Sequence, residues 1–222
     1  VSGVLLPSNL RDTTDVEAIT QELRLASNGS GPFQWVLGGF YASTDRFYRQ
    51  RLPTPGYAAV TDATLGAGTS AAVANGFPNL DSPYNADLPY ELEQIAIFGE
   101  GTYAITDALD VTIGARYYDF EESRQFISGG LFANGDNVSD TTASDGFSPR
   151  ILVSYDVSDA LTLNAQASKG FRLGGVNDPL NITLCSPADA ALFGSFQSYD
   201  DETLWNYEIG AKANGRGFYA NV

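Results

Sequence analysis

The feature of this sequence that most constrains its fold is a strict alternation of apolar and polar residues. Segment 109–117 reads LDVTIGARY, so its odd-numbered residues are apolar or aromatic and its even-numbered residues are small or polar. Segment 161–168, LTLNAQAS, repeats the pattern. Successive side chains of a β-strand point to opposite faces, so both segments predict strands with one apolar and one polar face. Helical periodicity is scarce along the chain.

About eight segments show this alternation, and the connections between them alternate in length. The segments lie at about residues 17–27, 33–50, 90–106, 109–127, 147–157, 161–172, 202–213 and 217 to the end. Every second connection is tight and rich in turn-forming residues. The other three, at about 51–89, 128–146 and 173–201, are long and polar. Short periplasmic turns that alternate with long extracellular loops are typical of an outer-membrane β-barrel.

Strand length and aromatic placement favour the same fold. Crossing the hydrocarbon layer takes about 9–11 tilted residues, and segments 33–50 and 109–127 exceed that length, so they are expected to project beyond a membrane. A soluble β-sandwich also has alternating strands, with aromatic side chains in its core. Aromatic residues near the ends of the apolar stripes resemble interfacial girdles: Phe33, Trp35, Tyr41, Phe47, Tyr103, Tyr117, Tyr155 and Phe171.

Composition excludes several functions. The chain has 27 Asp and Glu against 12 Lys and Arg, so it is expected to repel nucleic acid. Histidine is absent, and Cys185 is the single cysteine, so we expect neither a catalytic triad nor a metal site, no cofactor and no enzyme activity. No run approaches the roughly 18 apolar residues of a membrane-spanning helix. The start at Val1, without Met or a signal peptide, predicts an internal fragment.

Acidic clusters give no competing site. Glu121-Glu122 and Asp200-Asp201 are adjacent pairs, and neighbouring residues on a strand point to opposite faces, so we interpret both pairs as solvated strand ends. Four further residues are predicted to lie in a loop without the ligand spacing of a known calcium loop: Asp136, Asn137, Asp140 and Asp145.

Four motifs resemble, in order, strands of TonB-dependent outer-membrane receptors. Segment 21–27, QELRLAS, resembles the family's "QE-x-R-L-x-S" strand, and segment 35–41, WVLGGFY, resembles the following "W-x-x-G-x-F/Y" strand. Segment 167–172, ASKGFR, is similar to "Y-x-x-G-F-R/K". Segment 202–212, ETLWNYEIGAK, is similar to "E-x-x-x-N-Y-E-x-G-x-K". The resemblance covers about residues 17–222.

The resemblance implies both a fold and a function. Such receptors close about 22 strands around a plug, so residues 1–222 are expected to be a partial barrel domain, without plug or terminal strands. The fold would be all-β, an antiparallel up-and-down transmembrane barrel segment. The intact receptor would lie in outer-membrane lipid and import a scarce nutrient, namely siderophore-bound iron, cobalamin, haem or an oligosaccharide. The TonB-ExbB-ExbD system would supply energy through the plug.

The polar stripe supplies the candidate site residues. Under the receptor hypothesis, ten side chains face inward, toward plug, water or ligand: Arg24, Gln94, Glu100, Thr102, Arg116, Asn164, Gln166, Asn206, Glu208 and Lys212. Two alternatives stay open at this point. One is a complete eight-stranded outer-membrane barrel that serves as an anchor or adhesin, and the other is a soluble, secreted β-sandwich that binds glycans.

Overall fold

The long strands of this computed structural model pair, in chain order, into one antiparallel sheet. The structure describes residues 6–179, 185–194, 196 and 198–222. The sheet contains β1 (Arg11–Ala26), β2 (Phe33–Arg51), β3 (Asn85–Thr106), β4 (Leu109–Gly129), β5 (Asn137–Ser158), β6 (Leu161–Arg172), β9 (Glu202–Gly215) and β10 (Phe218–Asn221). A small second sheet pairs β7 (Gly175–Val176) with β8 (Ser198–Tyr199). The predicted all-β, up-and-down architecture is confirmed.

The large sheet is open and one of its faces is bare. Within the described residues, β1 and β10 form its two edges and do not pair with each other, unlike the strands of a closed eight-stranded barrel. Large apolar residues on one face are exposed, with Ile97 at 64%, Ile113 at 62% and Ile209 at 91%. A β-sandwich would bury such residues against a second sheet. Here the second sheet has only two short strands.

The connection between β4 and β5 is shorter than predicted. Both strands extend further into this connection than the sequence predicted, so only residues 130–136 separate them. Asn137, Asp140 and Asp145 therefore lie on β5, and their prediction as loop residues was wrong. Segment 137–146, NVSDTTASDG, is polar on both faces, so the hydrophobic alternation that reveals a membrane-spanning strand is missing there.

The connection from β2 to β3 is a folded unit rather than a plain polar loop. It contains α1 (Tyr57–Leu65) and α2 (Thr69–Ala72) and packs on the β4–β5 turn. Asn75 Nδ2 donates to the carbonyl oxygens of Ser128, at 2.7 Å, and Asp136, at 3.0 Å. None of the described helices, including α3 (Pro187–Phe193), combines the length and apolarity needed to span a membrane.

The β5–β6 pairing stops at Arg150 opposite Ser168, although both strands continue further. The Asp156 N–H donates to Ala108 O on the β4 side, so the odd-numbered residues of β5 direct their backbone groups toward β6. Pro149 is the next odd-numbered residue and has no N–H to donate. The ladder therefore ends at Pro149. Above it, β5 pairs only with β4 and β6 only with β9, so the sheet forks.

Beyond this fork, the C-terminal end of β6 turns toward the face of the sheet opposite the exposed isoleucines. Phe171 stacks on Tyr118 of β4, with ring centroids 3.7 Å apart. Phe171 was predicted to belong to an interfacial girdle, and that prediction was wrong. The alternation assigns Phe171 to the same face as Ala167. The bend in β6 instead carries its ring over the opposite face, where Tyr118 lies.

Candidate functional site: the polar face of the sheet

The strand registers place all ten predicted site residues on one face. Residues directly opposite each other in an antiparallel pair share a face, and continuous registers connect β1 to β9. Gln94, for example, lies between Ala42 of β2 and Phe120 of β4. We call this side the polar face. Whether any of the ten contacts a plug or a ligand stays a prediction.

A hydrogen-bonded network crosses the centre of the polar face. Arg150 Nη1 lies 2.6 Å from Glu100 Oε2, and Arg150 Nε donates to Gln166 Oε1 at 2.9 Å. The ion pair spans β4 at Gly114, where a Cβ would lie 3.1 Å from Glu100 Oε2. A glycine between the two partners therefore lets the carboxylate and the guanidinium meet. The network joins β3, β5 and β6 into one polar belt.

The remaining predicted residues form smaller contacts on the same face. Thr102 and Thr112 share a hydrogen bond of 2.8 Å, and Ser154 Oγ donates to Asn164 Oδ1 at 2.8 Å. The other contacts are Arg24 with Glu22, and Asn206 with Glu208. Glu208, Lys212 and Gln166 line a shallow groove of about 590 Å³ that begins beside Arg150.

Arg116 differs from Arg150 in having no ion partner among the residues that the structure describes. Its guanidinium carbon lies 4.9 Å from the centre of the Phe40 ring. Its Nε and the Oγ of Ser148, opposite it in register, are buried without a hydrogen-bond partner. Buried donors of this kind are costly unless another group or a water pairs with them. Arg116 therefore has unused donor capacity.

The upper part of the polar face is covered by a segment that we call the strap, residues 173–179 and 198–201. Its first half is held by two strand residues. Glu122 Oε1 accepts from Val176 N at 3.1 Å, and Arg124 Nη1 donates to Val176 O at 3.0 Å. Arg124 also pairs with Asp178 at 2.5 Å. These contacts fix β7 against β4.

The second half of the strap is held through one carboxylate. Asp201 accepts hydrogen bonds from Tyr118, at 2.7 Å, and Ser144, at 2.8 Å. The bond from Tyr118, followed by that from Ser144, lowers the pKa of Asp201 below its usual value because both stabilise the charged form. Tyr118 and Phe120 beneath the strap are 1% exposed.

Three important residues were missed or misinterpreted from the sequence. Arg150 is an even-numbered residue of β5, like Leu152 and Ser154, so the alternation along the strand could have placed it on the polar face. Glu122 and Asp201 were predicted to be solvated strand ends. That prediction was wrong, since Glu122 is 8% exposed and both carboxylates bind the strap or its supports. The alternation along a strand cannot reveal that a side chain contacts a connection that is distant in the sequence.

Metal binding has no support in the described part of the chain. No group of three or more His, Cys, Asp or Glu side chains there is arranged to hold an ion.

Comparison with known proteins identifies the family. The profile "TonB dependent receptor-like, beta-barrel" matches residues 8–222. The ferric yersiniabactin uptake receptor FyuA from Yersinia pestis has a TM-score of 0.67 and 16% identity, with coverage of 94% of this chain and 28% of FyuA. The siderophore receptor PiuA from Acinetobacter baumannii has a TM-score of 0.58 and 15% identity, with coverage of 91% and 30%.

A third similar structure is the alcaligin outer-membrane receptor FauA from Bordetella pertussis, with a TM-score of 0.53, 16% identity and coverage of 93% of this chain and 27% of FauA. The chain thus spans less than a third of the length of these receptors. Likeness at such identity shows the fold. The matching profile shows more: the chain belongs to the TonB-dependent receptor β-barrel family, a family of outer-membrane barrels that are receptors and not enzymes.

Proposed function

We propose that the complete protein binds a scarce nutrient at the outer face of the outer membrane and imports it with energy from the TonB-ExbB-ExbD system. The proposal rests on how side chains are distributed in this member of the family. Exposed apolar residues lie on one face of the sheet, and a connected polar belt lies on the other. A wall of this kind separates lipid from a water-lined interior that accommodates plug and ligand.

Among siderophore-bound iron, cobalamin, haem and oligosaccharides, we favour an iron chelate. The solved structures with the same fold include receptors named for ferric yersiniabactin, alcaligin and ferric citrate. In this proposal, the ten polar-face residues line the interior. Arg116 is the first choice for a ligand or plug contact, because its buried Nε lacks a hydrogen-bond partner whereas the Nε and Nη1 of Arg150 are engaged.

The test uses the full-length gene product in a Gram-negative host that lacks its own receptors for the compounds offered. Uptake of radiolabelled iron bound to several siderophores is measured beside uptake of cobalamin, haem and oligosaccharides. The expected result is uptake of at least one iron chelate, abolished when tonB is deleted. Uptake that persists without TonB, or a correctly inserted protein that takes up none of these compounds, would overturn the proposal.

Substitution of the unpaired arginine sharpens this experiment. Arg116→Gln is expected to weaken binding or uptake, whereas Arg49→Gln, on the opposite face and paired with Asp15, serves as the matched control. Equal behaviour of the two variants would remove Arg116 from the proposed site and leave the receptor function itself untouched.

A further inference from the structure

The N-terminal half of β5 has one unpaired edge. Before Pro149, β5 pairs only with β4, and β6 ends at Arg172 without rejoining it. The β4–β5 register continues without a shift up to Ile127 opposite Asn137, so every odd-numbered residue of β5 keeps its backbone groups turned away from β4. We call the backbone N–H and C=O groups of residues 139, 141, 143, 145 and 147 the open edge.

The open edge is available for hydrogen bonding. Among the residues that the structure describes, a single group bonds to it: Asp140 Oδ1 accepts from Thr141 N at 2.9 Å. At the base of the fork, Phe147 and Pro149 border a groove of about 770 Å³, so side chains leave space beside β5. A long unpaired edge can accept an additional strand through its backbone hydrogen bonds.

The open edge faces the outside of the cell. The connections at the opposite ends of these strands, residues 107–108 and 159–160, are the short ones, and short turns of outer-membrane barrels face the periplasm. Segment 137–146 is polar on both of its faces, so it is suited to water rather than to hydrocarbon. A partner for the open edge must therefore come from outside the cell.

The outward side of the strands beside the open edge is acidic. In segments 85–94, 119–129 and 137–147, the odd-numbered positions include no Lys or Arg and carry six carboxylates: Asp87, Glu91, Glu93, Asp119, Glu121 and Asp145. Of these six, Asp87 alone forms an ion pair within the described part of the chain, with Arg51. Asp145 lies opposite Asp119 in register, and its Oδ2 accepts from the neutral hydroxyl of Tyr117 at 3.1 Å.

The basic residues of β6 beyond the fork do not neutralise this surface. Arg172 pairs with Glu202, and the charge of Lys169 acts on Asp201, over the polar face. A second copy of this chain would bring the same carboxylates to the open edge, and like charges on paired strands repel each other. An extended segment with basic side chains fits this edge better.

We propose that the open edge binds an extended segment of an extracellular protein, with Lys or Arg at every second position. The segment adds a strand beside β5. Residues opposite each other in an antiparallel pair share a face, so basic residues opposite the odd-numbered residues of β5 lie beside Asp145 and one strand away from Glu121. This proposal rests on the family membership and does not depend on which nutrient the receptor imports.

The first test separates backbone pairing from simple charge attraction. A labelled peptide of alternating Thr and Lys, with blocked ends, is titrated with the full-length receptor in mild detergent, and binding is followed by fluorescence anisotropy. In the proposed pairing, the lysine amides face β5 and the threonine amides face away. N-methylation of the lysine amides is therefore expected to weaken binding at least about tenfold, whereas N-methylation of an equal number of threonine amides is expected to leave it unchanged. Equal binding of the two methylated peptides would overturn the proposal.

The second test changes the receptor. Ala143→Pro removes an N–H of the open edge that β4 does not use, so it is expected to weaken binding of the unmethylated peptide about tenfold. Ala143→Val keeps this N–H and serves as the matched control. Heat-dependent migration in gels confirms folding, and Ser139→Pro replaces Ala143→Pro if the latter does not fold. Equal binding by the proline variant and Ala143→Val would overturn the proposal.

A third measurement tests the charge of the partner. A peptide of alternating Thr and Glu is expected not to bind, and Asp145→Asn combined with Glu121→Gln is expected to weaken binding of the lysine peptide several-fold and to reduce its dependence on salt. Unchanged binding of the lysine peptide by this variant, or binding of the acidic peptide, would overturn the assignment of a basic partner.

Discussion

Two regions of this sheet are stabilised in different ways. We call the part from the tight turns up to the fork at Pro149 the band, and residues 52–84 and 128–136 together with the strap the cap. In the band, Ile113 and Ile209 stay exposed on the apolar face. In the cap, Tyr57, Phe77 and Ser128 are buried although the residues that the structure describes form no second large sheet.

The difference shows how the surrounding solvent decides where packing is needed. In lipid, exposed apolar side chains cost nothing, and a closed ladder of backbone hydrogen bonds becomes the main requirement. In water, the cap must form its own small core, and it does so between segments distant in sequence. Asn75, for example, binds the carbonyl oxygen of Ser128, 53 residues away.

A charge on the apolar face should break the band but not the upper strands. Ile113→Lys places an ammonium group among exposed apolar residues, and a charge at the bilayer midplane of a barrel costs about 2–4 kcal/mol. Glu121→Lys, on the same face of the same strand but above the apolar stripe, is expected to cost at most about 1 kcal/mol. Chemical unfolding of the full-length receptor in lipid vesicles measures both values.

The matched pair separates lipid contact from simple charge change. Both variants add a lysine to an outward-facing position of β4. If Ile113→Lys and Glu121→Lys lower the free energy of unfolding equally, the face that carries Ile113 does not contact hydrocarbon.

The band could be predicted from the sequence because the alternation of apolar and polar residues is a local pattern. That alternation alone placed all ten polar candidates on one face, and it could have added Arg150. The cap could not be predicted in this way. Glu122 and Asp201 acquire their roles from Val176 and Tyr118, and these partners lie 54 and 83 residues away in the chain. Amphipathic alternation carries no information on such distant contacts.

The fork at Pro149 could be predicted from the sequence only in part. A proline inside a strand removes one ladder hydrogen bond, so Pro149 alone suggests a local break or an edge. The direction of that break depends on which neighbour the missing N–H would have faced. The Asp156 to Ala108 hydrogen bond fixes that direction toward β6, in agreement with the β5–β6 pairing that stops at Arg150.

Within the band, the Glu100–Arg150 ion pair offers a second, smaller test. Both side chains are about a third exposed, so solvent screens the pair and a coupling of about 1 kcal/mol is expected. A double-mutant cycle with Glu100→Gln and Arg150→Gln, read by chemical unfolding, gives this coupling. Gly114→Ala should reduce it, because the new Cβ would lie 3.1 Å from Glu100 Oε2.

This cycle has an internal control in the threonine pair of the same face. Thr102 and Thr112 form a neutral hydrogen bond, and their coupling is expected to be unaffected by salt. The Glu100–Arg150 coupling is expected to fall as salt rises, because ions screen a partly exposed pair. Zero coupling at low salt would mean that the belt is not held by this ion pair.

The smallest expected effect concerns the pH dependence of the cap. Because the folded pKa of Asp201 lies below its unfolded value, its hydrogen bonds stabilise the docked strap above the usual aspartate pKa of about 4. That stabilisation is lost as pH falls through the lower, folded value. Loss of a hydrogen bond costs about 0.5–1.5 kcal/mol, so the protection of the strap amides, taken relative to their intrinsic exchange rate at each pH, should fall several-fold in acid while the protection of the band is unchanged. Asp201→Asn should show rapid strap exchange already at neutral pH, and the exposed neighbour variant Asp200→Asn should behave as wild type. Slow exchange of the Asp201→Asn strap at neutral pH would show that Glu122 and Arg124 alone hold it.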